Sequence, residues 1–305
     1  SFRLEMGWQF PTHKDFKLVT FDEAKRYDMN NVDAFIQTNV LGRIKNKMID
    51  QHNFIESTGK PRIVIEQAVF RKGIDFDNPY YYYYKVGLNH FTHNEGKFYN
   101  HNSPGDRWEK IQKDQGIEIK PWRNNDYDDS QYILFLLQNP LDTSLNPLID
   151  RGEEYDKWII KTIRQIRQIT SKKIRVRLHP RFQDRFNKDI LIQENVEISE
   201  NYAGWNKTNG GQSLYDDLQK AWCCVTFSSN AATEAVCEGV PVINLDNSSF
   251  SFPVSYHTLD VLNEVNLKCD FDRTQWLYDC AYTQWTLNEI NSGIVHKRLL
   301  DGYRA

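Results

Sequence analysis

Tyr132-Ile-Leu-Phe-Leu-Leu137, closed by Gln138-Asn-Pro140, is an unbroken apolar run that stops abruptly at turn-forming residues. A run this short, with no polar alternation, reads as a central strand of a parallel sheet, buried on both faces, whose carboxyl end opens into a loop. The residues downstream repeat the theme. Trp158, Ile159, Ile163, Ile166 and Ile169 recur at helical spacing while Lys161, Arg164 and Arg167 occupy other faces, as in an amphipathic helix packed on a sheet. Ile174-Arg-Val-Arg-Leu178 is a second strand, ending at His179-Pro180, and Ser213 to Lys220 reads as a helix. Ala221-Trp-Cys-Cys-Val-Thr226 is a third strand, Asn230 to Glu238 a helix stopped by Gly239, and Val240-Pro-Val-Ile-Asn244 a fourth strand. Alternation of strands and helices at this spacing predicts an α/β fold with a parallel sheet covered on both faces.

The chain has 305 residues, about twice a typical domain, which predicts two domains with a core each. The first part is rich in Asn, His and Tyr and irregular in period, so the boundary is expected between Asn124 and Ser130. The predicted domains are 1–127 and 128–284, with a C-terminal helix over 285–305 returning to the first. Within the first, Pro61-Arg-Ile-Val-Ile-Glu66 reads as a buried strand ending in a carboxylate, and Tyr80 to Tyr84 as another strand. Thr274 to Leu300 reads as helical throughout. An apolar fraction of 40%, a charged fraction of 26% and a net charge of -3 describe an ordinary globular protein, so a polyanion has to be met by local charge. Nothing approaches the roughly 20 apolar residues that cross a bilayer, and no basic-then-apolar leader is visible. Five cysteines without CxxC spacing point to a reducing compartment and away from a zinc ribbon or disulfide framework. The expectation is a cytoplasmic protein.

In an open parallel sheet ligands bind outside the carboxyl ends of the strands. The residues there are Gln138, Asp142, Thr143 and Ser144 after the first strand, and His179, Pro180 and Arg181 after the second. After the third come Phe227, Ser228, Ser229 and Asn230, opening a helix that carries Glu234. Hydroxyls and helix-terminal amides suit an anion, a histidine with a nearby arginine neutralises phosphate charge, and Glu234 offers acceptors to ribose hydroxyls. A nucleotide mono- or diphosphate fits the set, although no GxGxxG or GxxxxGK[ST] follows any strand.

Three of these segments in order, Gln138-xxx-Asp142-x-Ser144, His179-Pro180 and Ser229-Asn-Ala-Ala-Thr-Glu234-Ala235-xxx-Gly239-Val-Pro241-Val, resemble GT-B glycosyltransferases of the capsule Kdo-transferase and bacterial sialyltransferase type. The resemblance runs over residues 60 to 245. It implies two Rossmann-like domains with parallel sheets facing a central cleft, a nucleotide-sugar donor as co-substrate with no further cofactor, and donor-phosphate contacts from His179 and Ser229. It also implies inversion at the anomeric carbon without a metal. Ala232 stands where the capsule enzymes carry Gly. Glu66-Gln-Ala-Val-Phe-Arg71 resembles the family's E-D-G-F-L-R stretch, whose acidic residue is a general base. Gln67 cannot take a proton, so Glu66 is the candidate catalytic base, with Asp75, Asp77 and His90 as alternatives. Gly105-Asp-Arg-Trp108, Lys120-Pro-Trp-Arg123 and Tyr282-Thr-Gln-Trp-Thr-Leu-Asn-Glu-Ile290 resemble phage-encoded glycosyltransferases, some of which glycosylate hydroxymethylated pyrimidines in DNA.

Each feature also has a plainer reading. Ser228 and Ser229 serve as well for helix capping, His179 for a loop carbonyl, and Glu66 for an ion pair with Arg71. The basic run from Lys157 to Lys188 is either a track for a duplex backbone or a solvated face. Tyr80 to Tyr84 suit core packing more than stacking on a base. His90, His93 and His101 near Glu95 match no standard metal spacing, and no metal site is expected. The sequence therefore reads as a nucleotide-sugar glycosyltransferase, leaning to a hydroxymethylated pyrimidine of double-stranded phage DNA in the host cytoplasm. A capsule or surface saccharide is the alternative acceptor. A nucleotide- or DNA-binding protein without turnover is the non-enzymatic alternative.

Overall fold

A computed structural model describes residues 13–38, 40, 49–70, 83–180, 182–200 and 213–305. Two compact units emerge, one of Ser1–Leu41, Asn46–Ile117 and Thr274–Ala305, the other of Gly42–Lys45 and Glu118–Arg273.

The first unit holds a four-stranded sheet built from β1 (Phe35–Gln37), β2 (Arg62–Gln67) and β3 (Tyr83–Leu88). The other five strands in chain order are β4 (Tyr132–Leu136), β5 (Ile174–Arg177), β6 (Glu197–Ile198), β7 (Ala221–Thr226) and β8 (Val242–Asn244), followed by β9 (Gln284–Thr286), which completes the first sheet in the order β1-β2-β3-β9. The parallel arrangement expected of this half is met only by β1 and β2, where Ile36 lies opposite Ile63. β3 runs antiparallel to both of its neighbours, placing Lys85 opposite Glu66 and Tyr84 opposite Trp285. Ile63, Ile65, Val86 and Leu88 pack with Trp285, Leu287, Val295 and Leu299 in the core of this unit.

The segment expected to be one helix from Thr274 to Leu300 is instead broken. Helices Thr274–Ala281, Leu287–Asn291 and Ile294–Arg304 flank β9. Thr286 caps the middle helix through a reciprocal box with Glu289, and Gly293 takes a left-handed φ of 86° between the last two. Such a cap starts a helix and such a glycine ends one.

The second unit has the parallel sheet expected of it, with β6 as one strand more than the four read from sequence. Its sheet is parallel throughout, in the order β6-β5-β4-β7-β8. β4 and β7 are buried along their whole length, as strands covered on both faces must be. The helix Tyr155–Ile169 turns Tyr155, Trp158, Ile159, Thr162, Ile163 and Ile166 inward, onto a core with Ile133, Phe135, Val176 and Phe227. All five cysteines are buried thiols outside any disulfide. From β4 the chain steps outward to β5 and β6, then returns to the other side of β4 for β7 and β8. The direction of winding therefore reverses between β4 and β7, the place where an open α/β sheet leaves a crevice at its carboxyl edge. No described helix is long and apolar enough to cross a membrane.

Candidate functional site

The loops that leave β4 and β7 meet across this reversal through one side chain. Gln138, 4% exposed, accepts from the Ser228 amide at 3.1 Å through Oε1. Its Nε2 donates to Ser144 Oγ at 2.6 Å and to Ser228 Oγ at 3.3 Å. The Gln138 amide donates to the Tyr155 hydroxyl at 3.0 Å, and burial raises that phenol well above its ordinary pKa, so it stays neutral.

Asp142 caps the short helical turn Thr143–Leu145 by accepting from the Ser144 amide and hydroxyl, both at 2.9 Å. On the far side, Thr226 Oγ1 donates to the Leu136 carbonyl at 2.9 Å and accepts from the Ser229 amide at 3.1 Å. Gln138, Asp142, Ser144, Ser228 and Ser229 are thus held in one linked set. Tyr155 and Thr226, absent from the sequence reading, fix the two ends of it. Thr226 was legible only as the last residue of a strand, and nothing in the sequence singled out Tyr155.

The amides at the start of the helix Ala231–Cys237 are less open to an anion than expected. Ala232 and Thr233 donate to the Ser229 and Asn230 carbonyls at 3.0 and 3.1 Å, and Asn230, in helical conformation, makes no side-chain cap. What remains is hydroxyl chemistry. Ser229 Oγ receives only a long contact from the Ala231 amide, 3.4 Å, and keeps its proton for another acceptor.

Glu234, read from sequence as a ribose acceptor, has a phenol among its partners. It accepts a hydrogen bond from Tyr215, whose phenol is pushed well above its usual pKa by burial first and by the Glu234 charge second. Tyr215 lies on the helix Leu214–Lys220, capped by Ser213 and Asp216 in a reciprocal box.

His179 follows β5, half-buried, with its ring 5.3 Å from that of Phe182 and its carbonyl accepting from the Phe182 amide at 3.0 Å. Arg181 lies outside the described residues, as do Arg71, Asp75, Asp77 and Tyr80 to Tyr82.

In the first unit Glu66 is the penultimate residue of β2 and half-buried, its Oε1 accepting from the Gln67 amide at 2.8 Å. His90, the alternative base, stacks on Phe91 with centroids 4.9 Å apart and contacts Thr92 Oγ1 at 2.8 Å. Burial, then the charges of Lys85 and Arg62, push its pKa down to about 4. His90, His93 and His101 do not gather into a three-ligand group among the described residues.

The basic run is largely committed to its own fold. Arg164 pairs with Glu194 at 2.5 Å, and Lys161 with Glu153 at 2.6 Å. Arg167 donates to the carbonyls of Lys172 and Asn195, both at 2.7 Å, and Lys172 to those of Leu262 and Glu264 at 2.9 and 2.8 Å. Arg175 meets Glu197 at 2.9 Å, and buried Arg177 pairs with Asp217.

No protein-family model matches the chain, and no curated protein matches it. Among solved structures it is similar to the beta Kdo 2,4 transferase of KpsC from Thermosulfurimonas dismutans, with 12% identity, 88% of each chain covered and a TM-score of 0.44. It is likewise similar to the beta Kdo 2,7 transferase of the same organism's KpsC, with 14% identity, 92% of this chain and 91% of that chain covered, and a TM-score of 0.49.

Proposed function

We propose that the chain is a glycosyltransferase whose nucleotide-sugar donor sits on the β4 and β7 loops, with its phosphate against Ser229 and His179. The observation that carries this reading is the Gln138 bridge between Ser144 and Ser228. It presents hydroxyls at the winding reversal of a parallel sheet, where such sheets take nucleotides. The three ordered motifs of the glycosyltransferase resemblance fall on the carboxyl ends of β4, β5 and β7, which supports the same reading.

In the reaction, the acceptor hydroxyl gives its proton to a carboxylate, for which Glu66 is the candidate. The oxygen forms a bond to the anomeric carbon as the bond from that carbon to the phosphate oxygen breaks. Donors placed beforehand on the leaving phosphate lower the barrier by meeting charge as it develops. Inversion and independence from metal are part of the proposal. So is a saccharide acceptor in preference to a hydroxymethylated pyrimidine, because the cations that suggested a duplex track are engaged by internal carboxylates and carbonyls.

Thermal unfolding with UDP, CMP, GDP and ADP, on the wild type and His179→Ala, tests the donor site. A ligand at a hundred times its Kd stabilises by about 2.7 kcal/mol. One nucleotide is expected to raise Tm in the wild type only, and no shift with any of the four overturns the reading. Transfer from the matching sugar nucleotide to saccharides, and to plain and hydroxymethylated duplex, then separates the acceptors. Binding without any turnover would identify a nucleotide-binding protein instead.

A further inference from the structure

His13, Asp15 and His296 bring one potential ligand atom each to within 4.8 Å of one another, the only such group of three among the described residues. The first two lie at the start of the described chain, and the third in the first turn of the helix Ile294–Arg304. Asp15 Oδ2 stands 3.5 Å from His13 Nδ1 and 3.8 Å from His296 Nε2. Neither is a hydrogen bond at that length, yet both are close to the ~3.4 Å that separates ligands bound at 2.0–2.1 Å in a tetrahedral zinc site.

His296 Nε2 faces Asp15 beyond hydrogen-bond length, while its Nδ1 is buried without a partner. Gly293 makes room for the pair of rings, since a Cβ there would come within 2.7 Å of His13 Nε2 and 2.9 Å of His296 Cε1. The Asp15 amide donates to His13 Nδ1 at 3.2 Å, a long contact that an ion at that lone pair would replace. The three residues line a cavity of about 380 Å³ together with Asp33, Lys297 and Asp301.

We propose that His13, Asp15 and His296 form a binding site for a borderline-soft divalent ion of the zinc class, with a fourth position open to the cavity for water or a small ligand. Two imidazoles and one carboxylate are the donor set such ions take when one position stays exchangeable. The Asp15 side chain, 58% exposed, is free to rotate and close the remaining distance. The ion ties the segment around residue 13 to the C-terminal helix.

The test is a titration of metal-free protein with Co²⁺, read by the visible absorption of tetrahedral cobalt, followed by displacement with Zn²⁺. One ion per chain is expected. His13→Asn and His296→Asn are each expected to weaken binding by more than about 100-fold, beyond the 10–100-fold that outer contacts cost. His101→Asn, at an exposed histidine, serves as the unaffected control. Asp15→Asn removes an exposed ligand without touching the core, so it reports on the site even if a histidine variant fails to fold. Absence of stoichiometric binding in the wild type, or full binding in Asp15→Asn together with either folded histidine variant, overturns the proposal.

Discussion

Gln138 and Ser229 sit in the same loops but carry different burdens. Gln138 is buried and satisfies the Ser228 amide, so Gln138→Leu leaves that donor unpaired, at a cost of about 1–3 kcal/mol. The Ser229 hydroxyl has one long internal contact, so Ser229→Ala is expected to change stability by less than about 0.5 kcal/mol. If its hydroxyl meets a phosphate, the same change weakens nucleotide binding by about 1.5–3 kcal/mol, roughly 10- to 150-fold in Kd. Urea midpoints and nucleotide titrations on both variants separate these effects; a Ser229→Ala protein that binds as the wild type does removes Ser229 from the donor site. His90 reports on pH. Its pKa is about 4 in the folded chain against an ordinary 6.5, with the half-exposed Glu95 carboxylate 3.6 Å from Nε2. As pH falls the unfolded chain takes up this proton first. The contribution of a neutral His90 is therefore complete above pH 6.5 and is lost between 6.5 and about 4, to a total of about 3 kcal/mol. Urea midpoints taken from pH 7.5 to 4.5 are expected to fall less steeply in His90→Gln, and an unchanged slope would refute this assignment.

β5 and the helix Leu214–Lys220 are joined by a buried charge network that also explains the alternation of Arg175 and Arg177. Asp217, fully buried, accepts from Arg177 and, at 2.5 Å, from the Ser199 hydroxyl that follows β6. Arg175 Nη1 lies 3.6 Å from its other oxygen. Arg177 reaches on to the Ser213 carbonyl at 3.3 Å, so the pair fixes the start of the helix that supplies Tyr215 to Glu234. Removing one member strands the other charge in the interior, and Asp217→Ala is expected to cost about 3–5 kcal/mol in chemical denaturation. A cost near that of a surface pair, below about 1 kcal/mol, would show that water reaches Arg177. The neighbouring helix Ala231–Cys237 is ended by Gly239 at a φ of 75°, where a Cβ would also collide with the Pro121 carbonyl. That stop was visible in the sequence as a glycine after a periodic segment. The partners of Glu234 and Asp217 were not, because a carboxylate on a helix carries no mark of what faces it.

The two units differ in how much of them could be read locally. β4, β7 and β8 are apolar runs and β5 an alternating one among helical periods within Glu118–Arg273, so these strands and the loops at their carboxyl ends were recognisable one at a time, whereas the two-residue edge strand β6 was not. The first sheet depends on pairing over long distance in sequence, and β9 is three residues, Gln284-Trp-Thr286, embedded between helices. Nothing local distinguishes it from them, since its strand state follows from pairing with β3. That pairing is reinforced by contacts sequence cannot show. Gln284 Oε1 accepts from the Val69 and Phe70 amides, both at 3.0 Å, so the loop after β2 is satisfied by a side chain more than two hundred residues away. Arg107, 8% exposed, donates to the Gln284 carbonyl at 2.6 Å and the Ala281 carbonyl at 3.2 Å, pairs with Glu289 at 2.8 Å and lies 3.7 Å over the Trp285 ring. A chain ending at Arg273 loses all of these at once: β3 gains an open edge, two buried amides lose their acceptor and a buried guanidinium loses its carboxylate. The sum of such losses, at about 1–3 kcal/mol for each orphaned donor and 3–5 for the broken ion pair, is comparable to the whole unfolding free energy of a domain, about 5–15 kcal/mol. The other unit keeps every strand of its sheet. In hydrogen exchange on the truncated chain, amides of β2 and β3 are therefore expected to lose protection while those of β4, β5 and β7 retain it. Protection persisting in β2 and β3 would mean that the first sheet closes without its C-terminal strand.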